Sequence, residues 1–107
     1  MPVITRAANL PLASDVSQRL QKLEPVCLLT PPDAEATLYI GWFNDKPVAA
    51  AWACGEAQGR QLLHFAIHPA TRGRGVLQRL AQEMREHENA AGRRVLSAQD
   101  YALLDAE

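Results

Sequence analysis

The stretch Phe65-Ala66-Ile67-His68-Pro69-Ala70-Thr71-Arg72-Gly73-Arg74-Gly75-Val76-Leu77-Gln78 carries the most chemistry in the chain. An apolar, strand-like run ends at Pro69, a turn follows, and two glycines stand at the head of an amphipathic segment. The first N–H groups of a helix have no partner inside it and point outward. The helix dipole adds positive potential there, so a helix start is an anion site. Glycine lets an anion approach the backbone closely. Arg72 and Arg74 can add charge-assisted contacts. On these grounds the ligand is a phosphate or pyrophosphate group. The competing reading is an ordinary Gly/Arg loop in front of a helix.

Other phosphate signatures fit worse. A nucleotide P-loop needs Gly-x-x-x-x-Gly-Lys-Ser/Thr, which is absent. A dinucleotide fingerprint needs a further glycine where this chain has Gln78. His64 is a candidate general base, because histidine changes charge near neutrality. The alternative is a packed or hydrogen-bonded histidine. His64 and His68 do not make a metal pair, since four residues along a strand span roughly 13 Å. No cysteine lies near enough in sequence to complete a zinc motif, so no metal site is expected.

The elements that must position this loop follow from periodicity and breakers. Val3 to Ala7 reads as a strand. Ser14 can cap a helix to about Leu23, with Val16, Leu20 and Leu23 on one face; Pro25 ends it. Thr37 to Phe43 is rich in β-branched and aromatic residues and reads as a strand. Asn44-Asp45-Lys46-Pro47 is a turn, and Val48 to Cys54 the hairpin partner, whose alanines suggest close approach of a neighbouring element. Gly55 to Gly59 turns again into a mostly apolar strand, Gln61 to His68. Val76 to about Asn89 is a helix with Val76, Leu77, Leu80, Ala81 and Met84 on one face and Gly92 as its stop. Arg93 to Leu96 is a short strand. Ser97 with Asp100 offers a cap for a last helix, Ala98 to Leu104. The order is β-α-β-β-β-α-β-α, with a parallel crossover over residues 61–96.

At Ile67-His68-Pro69 and Arg72-Gly73-Arg74-Gly75-Val76-Leu77 the chain resembles the GNAT (Gcn5-related N-acetyltransferase) superfamily. Its pattern is apolar-x-Pro, then Arg/Gln-x-x-Gly-x-Gly/Ala, then a helix. The element order matches as well, and the resemblance covers about residues 2–97. It implies a single acetyl-CoA-binding domain over 1–107 of class α/β (α+β). The sheet would be mixed and mostly antiparallel, with helices on both faces, and the domain C-terminally short. It implies acetyl-CoA (CoA) as cofactor, its diphosphate on Arg72, Gly73, Arg74, Gly75, Val76, Leu77 and Gln78, with Thr71 adjoining. The pantetheine arm would pair like an added strand with Phe65, Ala66 and Ile67, where a backbone N–H can polarise the acetyl carbonyl. Phe43-Asn44, Ala49-Ala50, Thr71-Arg72 and Arg74-Gly75-Val76, with Leu20-Gln21-Lys22 upstream, are similar to acetyl-CoA-dependent regulators of aspartate decarboxylase within the superfamily. This implies aspartate decarboxylase or another protein as partner. The alternative is an active N-acetyltransferase acting on an amine.

Three positions depart from the superfamily pattern. Leu77 stands where Gly or Ala is usual; it either crowds the diphosphate or points into the core. Gln61 stands where an acid often takes the amine's proton, and an amide is no base. Superfamily members usually continue with a helix bearing a tyrosine that protonates the thiolate, then two strands. Tyr101 is the one tyrosine in that region, either an acid or an ordinary aromatic. The strand Arg93–Leu96 then becomes a candidate sheet edge, which a partner protein or a second copy in a homodimer can cover.

Composition bounds the alternatives. A chain of 107 residues with 48% apolar and 21% charged residues is one small globular domain. A net charge of −1 gives no field toward nucleic acid or a membrane. Few aromatics and this charge also argue against a nucleic-acid surface built from Arg60, Arg72, Arg74, Arg79, Arg93 and Arg94. No apolar run approaches the ~20 residues of a membrane span. The first residues lack a signal-peptide pattern, so a cytoplasmic location is expected. Cys27 and Cys54 read as thiols in or near the core.

Overall fold

The computed structural model describes residues 3–8, 14–23 and 34–98. The elements are β1 (Ile4–Ala7), α1 (Ser14–Leu20), β2 (Thr37–Phe43), β3 (Lys46–Cys54), β4 (Arg60–Ile67), a 3₁₀ turn (Pro69–Thr71), α2 (Val76–Ala90) and β5 (Val95–Ala98). The strands form one sheet in the order β1-β2-β3-β4-β5. All neighbours are antiparallel except β4 and β5, which α2 joins as a parallel crossover.

Strand β3 is buried along both faces, and its alternation divides the core. Ala49, Ala51 and Ala53 lie with Tyr39, Leu62, Ile67, Leu77, Leu80 and Met84 on the α2 side. Ala50 and Trp52 lie with Leu38, Ile40, Leu20 and Leu23 on the α1 side. Small alanines thus sit opposite the large residues of α2, which satisfies the close approach that the sequence suggests.

Several element ends differ from expectation, each for a local reason. Asn44 and Asp45 both have positive φ, 50° and 62°. They close a two-residue hairpin over the Phe43–Lys46 pair, the geometry that Asn and Asp tolerate best. Lys46 and Pro47 therefore belong to β3 rather than to the turn. Pro47 is accommodated where the register shifts at Gly41/Trp42. Helix α1 stops at Leu20, and Leu23 reaches the core through tighter bonds, Lys22 N–H to Arg19 O at 3.1 Å and Leu23 N–H to Leu20 O at 3.1 Å. Gly92 has φ 81°. Its N–H reaches Asn89 O at 3.0 Å, and that of Arg93 reaches Glu88 O at 2.8 Å, a complete Schellman ending. This ending uses Arg93, so the last strand starts at Val95, two residues later than expected. Ser97 sits inside β5 opposite Gln61 rather than capping a helix. The rest of the expected helix, with Tyr101, lies outside the described residues, as does Cys27; Cys54 is a buried free thiol.

A buried polar cluster ties the C-terminal end of α2 to the sheet. Arg60 is 1% exposed and Glu88 fully buried. Arg60 Nε donates to Glu88 Oε1 at 2.7 Å. Its other nitrogens donate to the carbonyls of Glu35, Gly55 and Ala53 at 2.8–2.9 Å and to Thr37 Oγ1 at 3.4 Å. Tyr39 Oη at 2.9 Å and Arg93 Nε at 2.7 Å both donate to Glu88 Oε2. Burial alone raises the Glu88 pKa. The hydrogen bonds from Arg93, Arg60 and Tyr39 outweigh burial and hold the carboxyl below its ordinary value. Burial, then the hydrogen bond to the Glu88 carboxylate, pushes the Tyr39 phenol up to about 12. Arg60 is thereby a structural cation, and the surface of arginines weighed for nucleic acid loses that member.

Candidate functional site

The loop is approached along β4, and β4 is irregular. Ala50 pairs with Ala66 but Trp52 with Leu63, so β4 carries one extra residue there, a β-bulge. His64 lies within it at φ 57°, a left-handed conformation costly for a residue with a Cβ. The bulge re-aims the strand. Leu62, Phe65 and Ile67 face the α2 core, whereas Leu63 and Ala66 face the α1 core. His64 is exposed. The parallel register with β5 runs to Leu62–Ala98, where Ala98 is the last described residue. Beyond that point Ala66 and Ile67 pair with Ala50 and Ala49 of β3.

His68 closes the strand and starts the turn. Its N–H bonds Val48 O at 2.8 Å, and its Nδ1 accepts from Ala70 N–H at 3.1 Å. Thr71 is buried, and its Oγ1 donates to His68 O at 2.9 Å. Gly73 and Gly75 follow with φ 78° and 72°, and Gly75 is the N-cap of α2 without a side-chain cap. The first bond of the helix runs from Arg79 N–H to Gly75 O at 3.1 Å. The N–H groups of Val76, Leu77 and Gln78 come before it and face the helix start. A Cβ built on Gly75 would meet nothing within 4 Å, so the space against this backbone is open. Arg74 and Gln78 are exposed, and Arg72 is half-buried.

This geometry sorts the loop residues. Val76 and Leu77 are 2% and 0% exposed and pack in the α2 core. Leu77 therefore leaves the mouth of the loop clear, and only its main chain faces an anion. The side chains of Phe65, Ala66 and Ile67 are buried too, which leaves main-chain groups as their means of contact. The residues present suit a diphosphate: main-chain donors at a helix start, an open cradle and two arginines.

Acid–base groups are sparse nearby. Gln61 is exposed on β4 opposite Cys54 and Ser97. Strand β4 holds no carboxylate, and Glu88 is committed to its arginines. Among the described residues, no three His, Cys, Asp or Glu side chains group to hold a metal ion, and no helix is long and apolar enough to cross a membrane. Sequence pattern alone does not anticipate the bulge or the Arg60–Glu88 pair. Glu88 follows Met84 by four residues on the apolar stripe, which is a readable signal for a buried acid. Leu62 to Ile67 is apolar except at His64, so its alternation cannot reveal an extra residue.

No protein-family model and no curated protein matches the chain. Solved structures do. A GNAT family acetyltransferase of Staphylococcus aureus subsp. aureus USA300_TCH1516 is 19% identical with TM-score 0.69, over 95% of this chain and 90% of that one. The putative N-acetyl transferase YhhK from E. coli, solved bound to coenzyme A, is 22% identical with TM-score 0.66, over 82% and 70%. The aminoglycoside N-acetyltransferase AAC(6')-Iy, solved with CoA, is 16% identical with TM-score 0.63, over 99% and 88%. The fold is that of the GNAT acetyltransferases.

Proposed function

We propose that this chain binds acetyl-CoA. The diphosphate rests on the main chain from Gly73 to Gln78 with Arg72 and Arg74 beside it, and the pantetheine arm runs along Phe65, Ala66 and Ile67. The observation that carries the reading is the open left-handed cradle at Gly75, ahead of unbonded helix-start N–H groups. The burial of the Phe65, Ala66 and Ile67 side chains, which leaves main-chain groups for contact, supports the path of the arm.

The role we favour is that of an acetyl-CoA-dependent regulator resembling PanZ, which acts on aspartate decarboxylase. Phe43-Asn44, Ala49-Ala50, Thr71-Arg72 and Arg74-Gly75-Val76 carry that resemblance. The lack of a carboxylate on β4 supports binding without turnover. Strand β5, at the edge of the sheet among the described residues and with Leu96 60% exposed, is a surface for the partner or for a second copy. An active N-acetyltransferase is the second reading. It is favoured by His64, exposed on the bulge of β4, because the cofactor itself brings the reactive thioester.

Thermal shift with acetyl-CoA, CoA and ATP, followed by thiol release from acetyl-CoA with an amine panel, separates the readings. Stabilisation by the CoA species without thiol release supports the regulator. Thiol release dependent on His64 supports the enzyme, and no stabilisation by either CoA species overturns both. Co-precipitation with aspartate decarboxylase, with and without acetyl-CoA, tests the partner.

A further inference from the structure

A second basic constellation lies on the α1 side of the sheet. Arg19 at the end of α1, Lys22 in the turn after it, Lys46 at the start of β3 and His68 after β4 line a cavity of about 260 Å³ with Pro47. None of the five is acidic. Among the described residues Arg19, Lys22 and Lys46 form no ion pair with a carboxylate. Arg19 makes a long 3.5 Å contact from Nη1 to Asp45 O. Three cations lining one cavity with no acid among its described lining residues repel one another, and an anion among them relieves that repulsion.

The histidine adds direction. Its Nδ1 accepts from Ala70 N–H, so the neutral ring carries its proton on Nε2 and has one N–H left to donate. Two ammonium groups, a guanidinium fork and an imidazole N–H suit a compact, multiply charged oxyanion. The volume lies below the roughly 300 Å³ at which pockets for drug-sized ligands begin, which favours a single anionic group. Helix α1 packs on Leu38, Ile40, Ala50 and Trp52, whereas the glycine loop belongs to α2 and the other face.

We propose that Arg19, Lys22, Lys46 and His68 form a site for a phosphate-type oxyanion, separate from the loop Arg72–Gln78. The phosphate is either a free or small-molecule phosphate or the 3′-phosphate of CoA reaching across from the loop.

The test follows the three histidine rings by NMR, with His68→Gln assigning one of them, while inorganic phosphate is added against sodium chloride at matched ionic strength and pH. The His68 signals should move saturably with phosphate. The exposed pair Lys22→Gln/Lys46→Gln should weaken that binding roughly tenfold or more, and Gly75→Leu should leave it unchanged. If phosphate moves His68 no more than chloride does, or the lysine double variant binds phosphate like the parent, the site does not exist. Comparison of CoA with 3′-dephospho-CoA identifies the source. Selective weakening of CoA in the double variant points to its 3′-phosphate, and equal binding of both points to a separate phosphate.

Discussion

Arg60 Nε and Glu88 Oε1 meet at 2.7 Å with both side chains withdrawn from solvent. Opposite charges so placed are strongly destabilising to separate, because the survivor stays buried and uncompensated. Arg60→Met and Glu88→Gln should each lower the free energy of unfolding by about 3–5 kcal/mol in urea melts. The double change Arg60→Met/Glu88→Gln should cost clearly less than the sum of the two. A fully additive pair would contradict the coupling.

The same cluster sets an acid limit. Glu88 titrates below its ordinary value of 4.5, so the folded state binds its proton less readily than the unfolded chain. Its contribution is complete above the ordinary carboxylate range and declines as pH falls through the lowered folded value. Unfolding measured from pH 6 downward should show this decline in the parent and a flatter profile in Glu88→Gln.

At alkaline pH Tyr39 acts in the opposite sense. Its phenol is raised to about 12 from 10.0, so the folded state keeps a proton that the unfolded chain gives up. Stability should fall by on the order of 2 kcal/mol between pH 10 and 12. Phenolate absorbance should show a late titration step that Tyr39→Phe removes.

At the glycine loop, Gly75→Leu places a side chain in open space at a left-handed backbone position. The fold should survive a cost of roughly 1–2 kcal/mol, while acetyl-CoA affinity measured by calorimetry drops at least about tenfold. Unchanged affinity would move the site elsewhere.

Leu77→Ala separates core from cradle. The side chain is fully buried among α2 core residues, so the change should cost about 2–5 kcal/mol in stability. Below the melting range it should leave acetyl-CoA affinity within about twofold, since truncating a side chain that touched the ligand would shift it by more.

Much of this was legible in the sequence because single residue types dictate local geometry. Thr37–Phe43 forms β2 with the bounds that its aromatic and β-branched content predicts, and Val76 begins α2 directly after Gly75. The loop glycines take the positive φ that makes them useful. What is not legible depends on distant partners. Arg60 looks like a surface cation until Glu88, Tyr39 and Thr37 are folded around it. The start of β5 falls later than periodicity suggests because Arg93 serves the ending of α2 through both its N–H and its side chain. Gln61, His64 and the loop fall near one another along β4, but which face each takes is set by a bulge that composition does not encode.

That bulge gives residue 64 a role as a phase setter. With one residue more on β4 than on β3, every side chain from Phe65 to Ile67 is advanced by half a pleat. Straightening the strand with His64 kept in the pleat would reverse their parity, turning Phe65 and Ile67 from the α2 layer toward the α1 layer and Ala66 the other way. Removing His64 would instead leave a plain alternation with every facing unchanged. The chain can therefore lose the residue at this position without turning a core side chain over, but cannot absorb it into a regular pleat without doing so.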